Sequence, residues 1–385
     1  MDKAQEIRGV NLGNWLVLEK WMNPSLFAGT DAEDEYHLAR ALPAEQYAER
    51  MHIHRAEYIT ERDFALLAKL GVNAVRIPVP FFLFGDRPPY IGCVEQLDAA
   101  FDWAEKWGLR ILVDLHTVPG SQNGFDNGGI CGVCRWATMP QEVDFVLNLL
   151  ERIAKRYGQR PAMWGIQPLN EPITTALLGE EPWEQSGVAL RYPARDAELA
   201  QGSAAIPMAF LQSFYQQAYQ CLRRYLPVDK AVVLHDAFCL NSWKEFLQSG
   251  CYENVVLDAH LYLSSVEMAG CEQTPDGYSK AIRENFERSI REVSVYAPVL
   301  CGEWCLDNAL ARSMPRGAAQ DALYRMLAQT QLETWAQGVG SFYWSYKLLN
   351  QEPQLASWDF LHCVCSGWLP GWKASSMTQS QLVGA

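Results

Sequence analysis

The chain has 385 residues, with 32 Lys and Arg against 45 Asp and Glu, for a formal net charge of −13. About half is apolar (49%) and 20% is charged, which excludes disordered and collagen-like chains. An acidic excess with no Lys/Arg run repels a polyanion, so no nucleic-acid partner is expected.

Short apolar runs alternate with longer amphipathic ones along the chain. Strand-like runs fall at 7–12, 72–79, 110–116, 163–169, 231–236, 254–262, 298–303 and 340–346. Several are near-continuous Val, Ile and Leu, as strands buried on both faces require. Helix patterns lie at 60–70, 95–107, 140–157, 207–226, 242–249, 277–295 and 316–337. Thr60 with Asp63 reads as a capping box, Gly108 as a C-cap, and Pro140 and Gly158 as a start and a stop. Eight strands, most followed by a helix, predict an α/β fold: a (β/α)8 TIM barrel with enlarged βα loops. The barrel is expected as one domain over 1–370, with a polar tail at 371–385. A doubly wound sheet is the alternative, but Arg8–Gly13 does not fit the Gly-rich phosphate fingerprint of its first turn. Residues 19–58, 120–139 and 173–206 exceed what a barrel needs, and long βα connections of this kind build barrel sites.

No stretch approaches ~18 consecutive apolar residues, so no membrane span is expected. The opening Met-Asp-Lys-Ala-Gln lacks the pattern of a secretory signal, and a cytoplasmic location is the expectation. Eleven cysteines, an odd number, then read as reduced thiols. Cys131 with Cys134, and Cys363 with Cys365, would offer zinc four thiolates if their loops met; small buried thiols are the plainer reading.

Polar residues cluster at the C-terminal ends of the strand runs: Arg76, Asp114, His116, Asn170, Glu171, His235, Asp236, His260, Tyr262, Glu303 and Trp344. Any single one has a bland explanation, but a barrel gathers all these ends into one ring. Glu171 in Leu169-Asn170-Glu171-Pro172 and Glu303 in Gly302-Glu303-Trp304 both follow apolar runs. Two opposed carboxyls can cleave a glycosidic bond, one protonating the leaving oxygen and the other attacking the anomeric carbon. The donor then needs a raised pKa and the nucleophile a lowered one. Asn170 can bond a sugar 2-hydroxyl, Arg76 and Tyr262 can keep Glu303 ionised, and Trp344 offers a flat face to a pyranose.

From about residue 7 to 360 these motifs resemble glycoside hydrolase family 5, and within it the exo-β-1,3-glucanase and β-glucosidase branch. The matching set is Arg76, His116, Asn170-Glu171, His260, Tyr262, Glu303 and Trp344, in order. Arg8–Glu19, Pro24–Phe27, Asp34–His37, Pro119–Asn127 and His235–Phe238 resemble further motifs of that branch. The resemblance implies Glu171 as acid/base and Glu303 as nucleophile of a retaining enzyme. It implies His260 and Tyr262 as support, and Glu19, His116, Asp126, Asn127 and Trp344 around the terminal glucose. It implies no metal and no cofactor. Phe125 matches one of two Phe that flank the entrance in that branch. The second is replaced, since Ser265 stands three positions after Tyr262. The expected substrate is a short β-glucan or β-glucoside cut from its non-reducing end. The alternatives are an endo-glucanase with an open cleft, a catalytically silent carbohydrate binder, and a metal hydrolase using His116, His235 and His260. The last lacks any H-x-H or H-E-x-x-H spacing.

Overall fold

The computed structural model describes residues 6–179 and 181–372. Residues 1–5, and 373–385 of the expected polar tail, lie outside the described residues. Eight parallel strands close into a barrel: β1 (Ile7–Asn11), β2 (Ala74–Val79), β3 (Arg110–Leu115), β4 (Met163–Gln167), β5 (Ala231–His235), β6 (Val255–His260), β7 (Val299–Trp304) and β8 (Gly340–Tyr343). Closure is made between β1 and β8, where Ile7 faces Gly340 and Val10 faces Tyr343. Each strand falls on a predicted run, so the (β/α)8 expectation holds.

Side chains alternate across a strand, so every second residue points into the barrel. At its base, Ile7, Ala74, Leu112, Val233, Val256 and Phe342 form a buried apolar plug. Two residues onward, four of these strands carry Arg76, Asp114, His235 and Asp258, all fully buried. The interior therefore changes from hydrocarbon to ionisable groups over a rise of ~7 Å.

Predicted helices appear at Glu61–Leu70, Val94–Trp107, Pro140–Tyr157, Met208–Leu222 and Ala318–Trp335. The capping box is present, with Thr60 N–H donating to Asp63 Oδ2 at 2.7 Å. Gly108 takes the left-handed C-cap (φ 72°), but Gly158 is right-handed (φ −55°). Its role is close approach: a Cβ there would lie 2.5 Å from the Ala154 carbonyl oxygen. The 277–295 pattern is interrupted by a π-helical stretch at Ile282–Glu287. The first long connection holds two helices that the apolar pattern does not reveal, Glu35–Ala41 and Ala44–Tyr58. They are joined by polar contacts, Tyr47 donating to Glu35 Oε1 at 2.7 Å.

Candidate active site

Arg76 organises the floor of the site. A guanidinium has five N–H donors and no acceptor. Nε donates to Gln167 Oε1 (2.9 Å), Nη1 to Asn11 Oδ1 (3.0 Å) and Glu303 Oε1 (2.8 Å), and Nη2 to Asn170 Oδ1 (2.7 Å), while Asp114 Oδ2 is ion-paired with Nη2 at 3.0 Å. Four hydrogen bonds and the paired carboxylates of Glu303 and Asp114 make burial of the charge tolerable. The same contacts fix Asn170, just past β4, and Glu303, in β7, relative to one another.

Glu303 is completed by Tyr262, whose hydroxyl donates to Oε2 at 2.8 Å. Glu171 follows β4 at φ 42°, a left-handed conformation that costs a non-glycine residue about 1 kcal/mol or more. Its Oε2 accepts from Asn127 Nδ2 at 2.8 Å and its Oε1 meets His260 Nδ1 at 2.7 Å. That same nitrogen lies 3.5 Å from Glu303 Oε2. The facing oxygens of the two carboxylates are therefore at most about 6 Å apart. Behind His260, Asp258 Oδ2 lies 3.3 Å from Nε2 and accepts from Gln167 Nε2 at 2.8 Å.

The protonation order differs from the expected one. Burial drives Glu171 upward, but the hydrogen bond and charge of His260, then the Asn127 amide, outweigh it and leave the carboxyl below its ordinary value. Burial raises Glu303, and Glu171 adds to this against the pull of His260 and Arg76. Burial alone would lower His260, yet Glu303, Asp258 and Glu171 hold it well above its ordinary value. The shifts favour the proton on the imidazole side of the 2.7 Å contact between His260 Nδ1 and Glu171 Oε1.

The residues expected around glucose ring this pair. Glu19 accepts from Trp21 Nε1 at 2.8 Å; burial, then Asp126, drives its carboxyl well up. Asp126 is also raised, mainly by burial. His116 Nδ1 donates to Asp114 Oδ2 at 2.6 Å, leaving Nε2 to face Asn170 Nδ2 at 3.4 Å. Its ring stacks on Trp344, with centroids 5.7 Å apart and planes 8° apart. The position of the second entrance ring holds an exposed residue, Ser265, whose hydroxyl bonds the Tyr262 carbonyl. Phe125 instead meets Tyr192, from the 173–206 segment, at 5.3 Å and Phe238 at 6.4 Å.

Glu171, His235 and His260 bring three possible metal-ligand atoms within 4.8 Å. Both His260 nitrogens already face carboxylates, and His235 Nδ1 accepts the Ala237 N–H at 3.0 Å. His116, the third histidine of the metal reading, is held by Asp114 instead. No such cluster among the described residues includes a cysteine, so the two cysteine pairs do not form the four-thiolate centre.

Asp258, Gln167 and Trp21 were not singled out from the sequence. Asp258 and Gln167 lie inside apolar strand runs, and the available signal was the i, i+2 spacing of Asp258 and His260, which places both on one face.

Residues 43–347 match the family described as Cellulase (glycosyl hydrolase family 5). The glucan 1,3-beta-glucosidase of Candida oleophila is 31% identical over 95% of this chain and 88% of its own. That of Blumeria graminis is 30% identical over 95% and 87%. Among solved structures, rutinosidase from Aspergillus niger superposes with a TM-score of 0.73 at 22% identity, covering 95% of this chain and 98% of that one. At that identity the likeness is one of fold.

Proposed function

Because the chain belongs to glycoside hydrolase family 5, we propose that it releases glucose from the non-reducing end of short β-glucans or β-glucosides, with the β-1,3 bond as the leading linkage. Its relatives named glucan 1,3-beta-glucosidase support the linkage. The observation that carries the mechanism is the single His260 nitrogen within reach of both carboxylates. Inverting enzymes hold their carboxyls ~6.5–9.5 Å apart to admit a water, whereas retaining ones need only ~5–5.5 Å. A ceiling of about 6 Å supports retention.

Glu303 attacks the anomeric carbon while the proton held by the Glu171–His260 pair passes through Glu171 Oε1 to the leaving oxygen. The Glu303 charge is consumed in the ester bond. Glu171, now a carboxylate, takes a proton from water, and the hydroxide oxygen replaces Glu303 at carbon 1. The proton returns to the pair and both carboxylates are restored. Arg76 and Tyr262 stabilise the Glu303 anion as leaving group in this second step.

The test is proton NMR of a β-1,3-linked glucan during the first turnovers. β-Glucose should appear before its α anomer, and glucose should be the only early product. α-Glucose first would overturn retention, and early oligosaccharides would replace the exo reading with an endo one.

A further inference from the structure

The 173–206 segment is fastened to the 120–139 loop along its length. Trp183 is buried with Nε1 donating to the Gly132 carbonyl at 3.2 Å. It rests on Gly124, where a Cβ would come within 2.6 Å of Cζ2. A Cβ on Gly132 would lie 2.2 Å from Ala194 N. Cys134 N–H donates to Ser203 Oγ at 3.0 Å, and Ala204 N–H to the Cys134 carbonyl at 2.9 Å. Two glycines and a buried indole thus let two loops meet too closely for side chains, which makes one composite wall.

The product of this fastening is the position of Tyr192. It caps the short helix Gly187–Arg191 and is half-buried. Its ring lies 5.3 Å from Phe125 at a 45° tilt. Burial, then the Asp126 carboxylate, pushes its phenol up against the opposing pull of Arg191. Phe125 precedes the turn Asp126–Gly128, which carries the Asn127 that donates to Glu171. The ring cluster therefore adjoins the turn that bonds the Glu171 carboxylate.

We propose that Tyr192 is a specificity-determining residue of the leaving-group side, forming with Phe125 and Phe238 a one-sided aromatic platform for a flat ring. The proposal rests on the reading of Glu171 given above. A two-sided slot would need rings about 7 Å apart, twice a ~3.5 Å contact. Phe125 and Tyr192 touch each other instead, so a ring can stack on them but not pass between them. The recognised chemistry is the flat apolar face of the leaving group, either a pyranose or an aromatic aglycone.

The experiment compares kcat/KM of the full chain on a β-1,3-linked glucose disaccharide, 4-nitrophenyl β-glucoside and methyl β-glucoside, whose leaving group has no ring. Tyr192→Ala should lose about five- to tenfold more on a ring-bearing substrate than on the methyl glucoside, mainly through KM. Tyr192→Phe should stay within about twofold on all three, since the face is kept. Tyr192→Leu, which keeps bulk without the flat face, should repeat the alanine pattern and serves if the alanine variant does not fold. Leu190→Ala, an exposed change on the same helix, should alter nothing. A loss confined to the disaccharide identifies a sugar as the occupant, and one confined to the aryl glucoside an aromatic aglycone. Equal losses on all three substrates, or none on either ring-bearing one, overturn the platform. Wild type inactive on every β-glucoside would overturn the enzymatic reading instead.

Discussion

Replacing Asp258 with Asn tests how the proton is held. The change keeps size and removes one buried charge 3.3 Å from His260 Nε2. Two unit charges at 3.3 Å attract by ~5 kcal/mol at an effective dielectric of ~20. Glu303 and Glu171 still favour the protonated ring, so the His260 pKa falls without losing all of its support. His260 is raised in the native site, so its proton is present below that raised value and lost as pH climbs through it. In the Asp258→Asn variant the proton leaves at lower pH, and the alkaline limb of the kcat/KM profile moves down by about one unit or more. At a fixed pH on that limb the rate should fall about tenfold for each unit the limb moves. Melting measured alongside separates a folding defect. An alkaline limb that stays in place would refute the proton-holding role of Asp258.

Glu303→Gln should cut turnover at least about 10³-fold on every glucoside, because it removes the nucleophile while preserving shape. Glu171→Ala should cost about 10²–10⁴-fold on alkyl glucosides but much less on dinitrophenyl glucosides, whose leaving group needs no proton. Tyr262→Phe removes a donor to the Glu303 anion, so the Glu303 pKa rises further and the acid limb shifts to higher pH, with a loss of about tenfold. Asp63→Ala breaks the capping box and the bonds from Tyr346 and Lys347, which tie the helix Glu61–Leu70 to the segment after β8. It should destabilise by about 2–4 kcal/mol in denaturant unfolding without changing kcat.

The barrel was readable because its strands are short apolar runs separated by helix-length intervals. The ionisable ring was readable where it falls at or just past the C-terminal ends of those runs, as at Glu171, His260 and Glu303. Asp258 and Gln167 stayed hidden because each sits within a run that reads as hydrophobic. The helix Ala44–Tyr58 was missed for a related reason: its buried face, Tyr47, Met51, His54, Arg55 and Tyr58, has helical spacing but mixed polarity. His54 is accommodated because burial lowers its pKa to about 4 and Nε2 donates to the Asn14 carbonyl. The reversed order of the two carboxyls depends on His260 Nδ1 lying beside Glu171, a contact 89 positions apart in sequence. Tyr192 reaches Phe125 only because Gly124 and Gly132 let two loops approach, and neither loop has a period that announces it. The acidic excess acquires a local counterpart in Glu19, Asp126, Glu171 and Glu303, which crowd one pocket.

The most direct test is mass spectrometry of the protein after reaction with a 2-deoxy-2-fluoro-β-glucoside bearing a good leaving group, which slows hydrolysis of a glycosyl-enzyme more than its formation. The predicted result is one fluoroglucosyl group per chain, carried by the peptide that contains Glu303. A label on any other carboxylate, or turnover of β-glucosides with no covalent adduct, would contradict the two-carboxylate account.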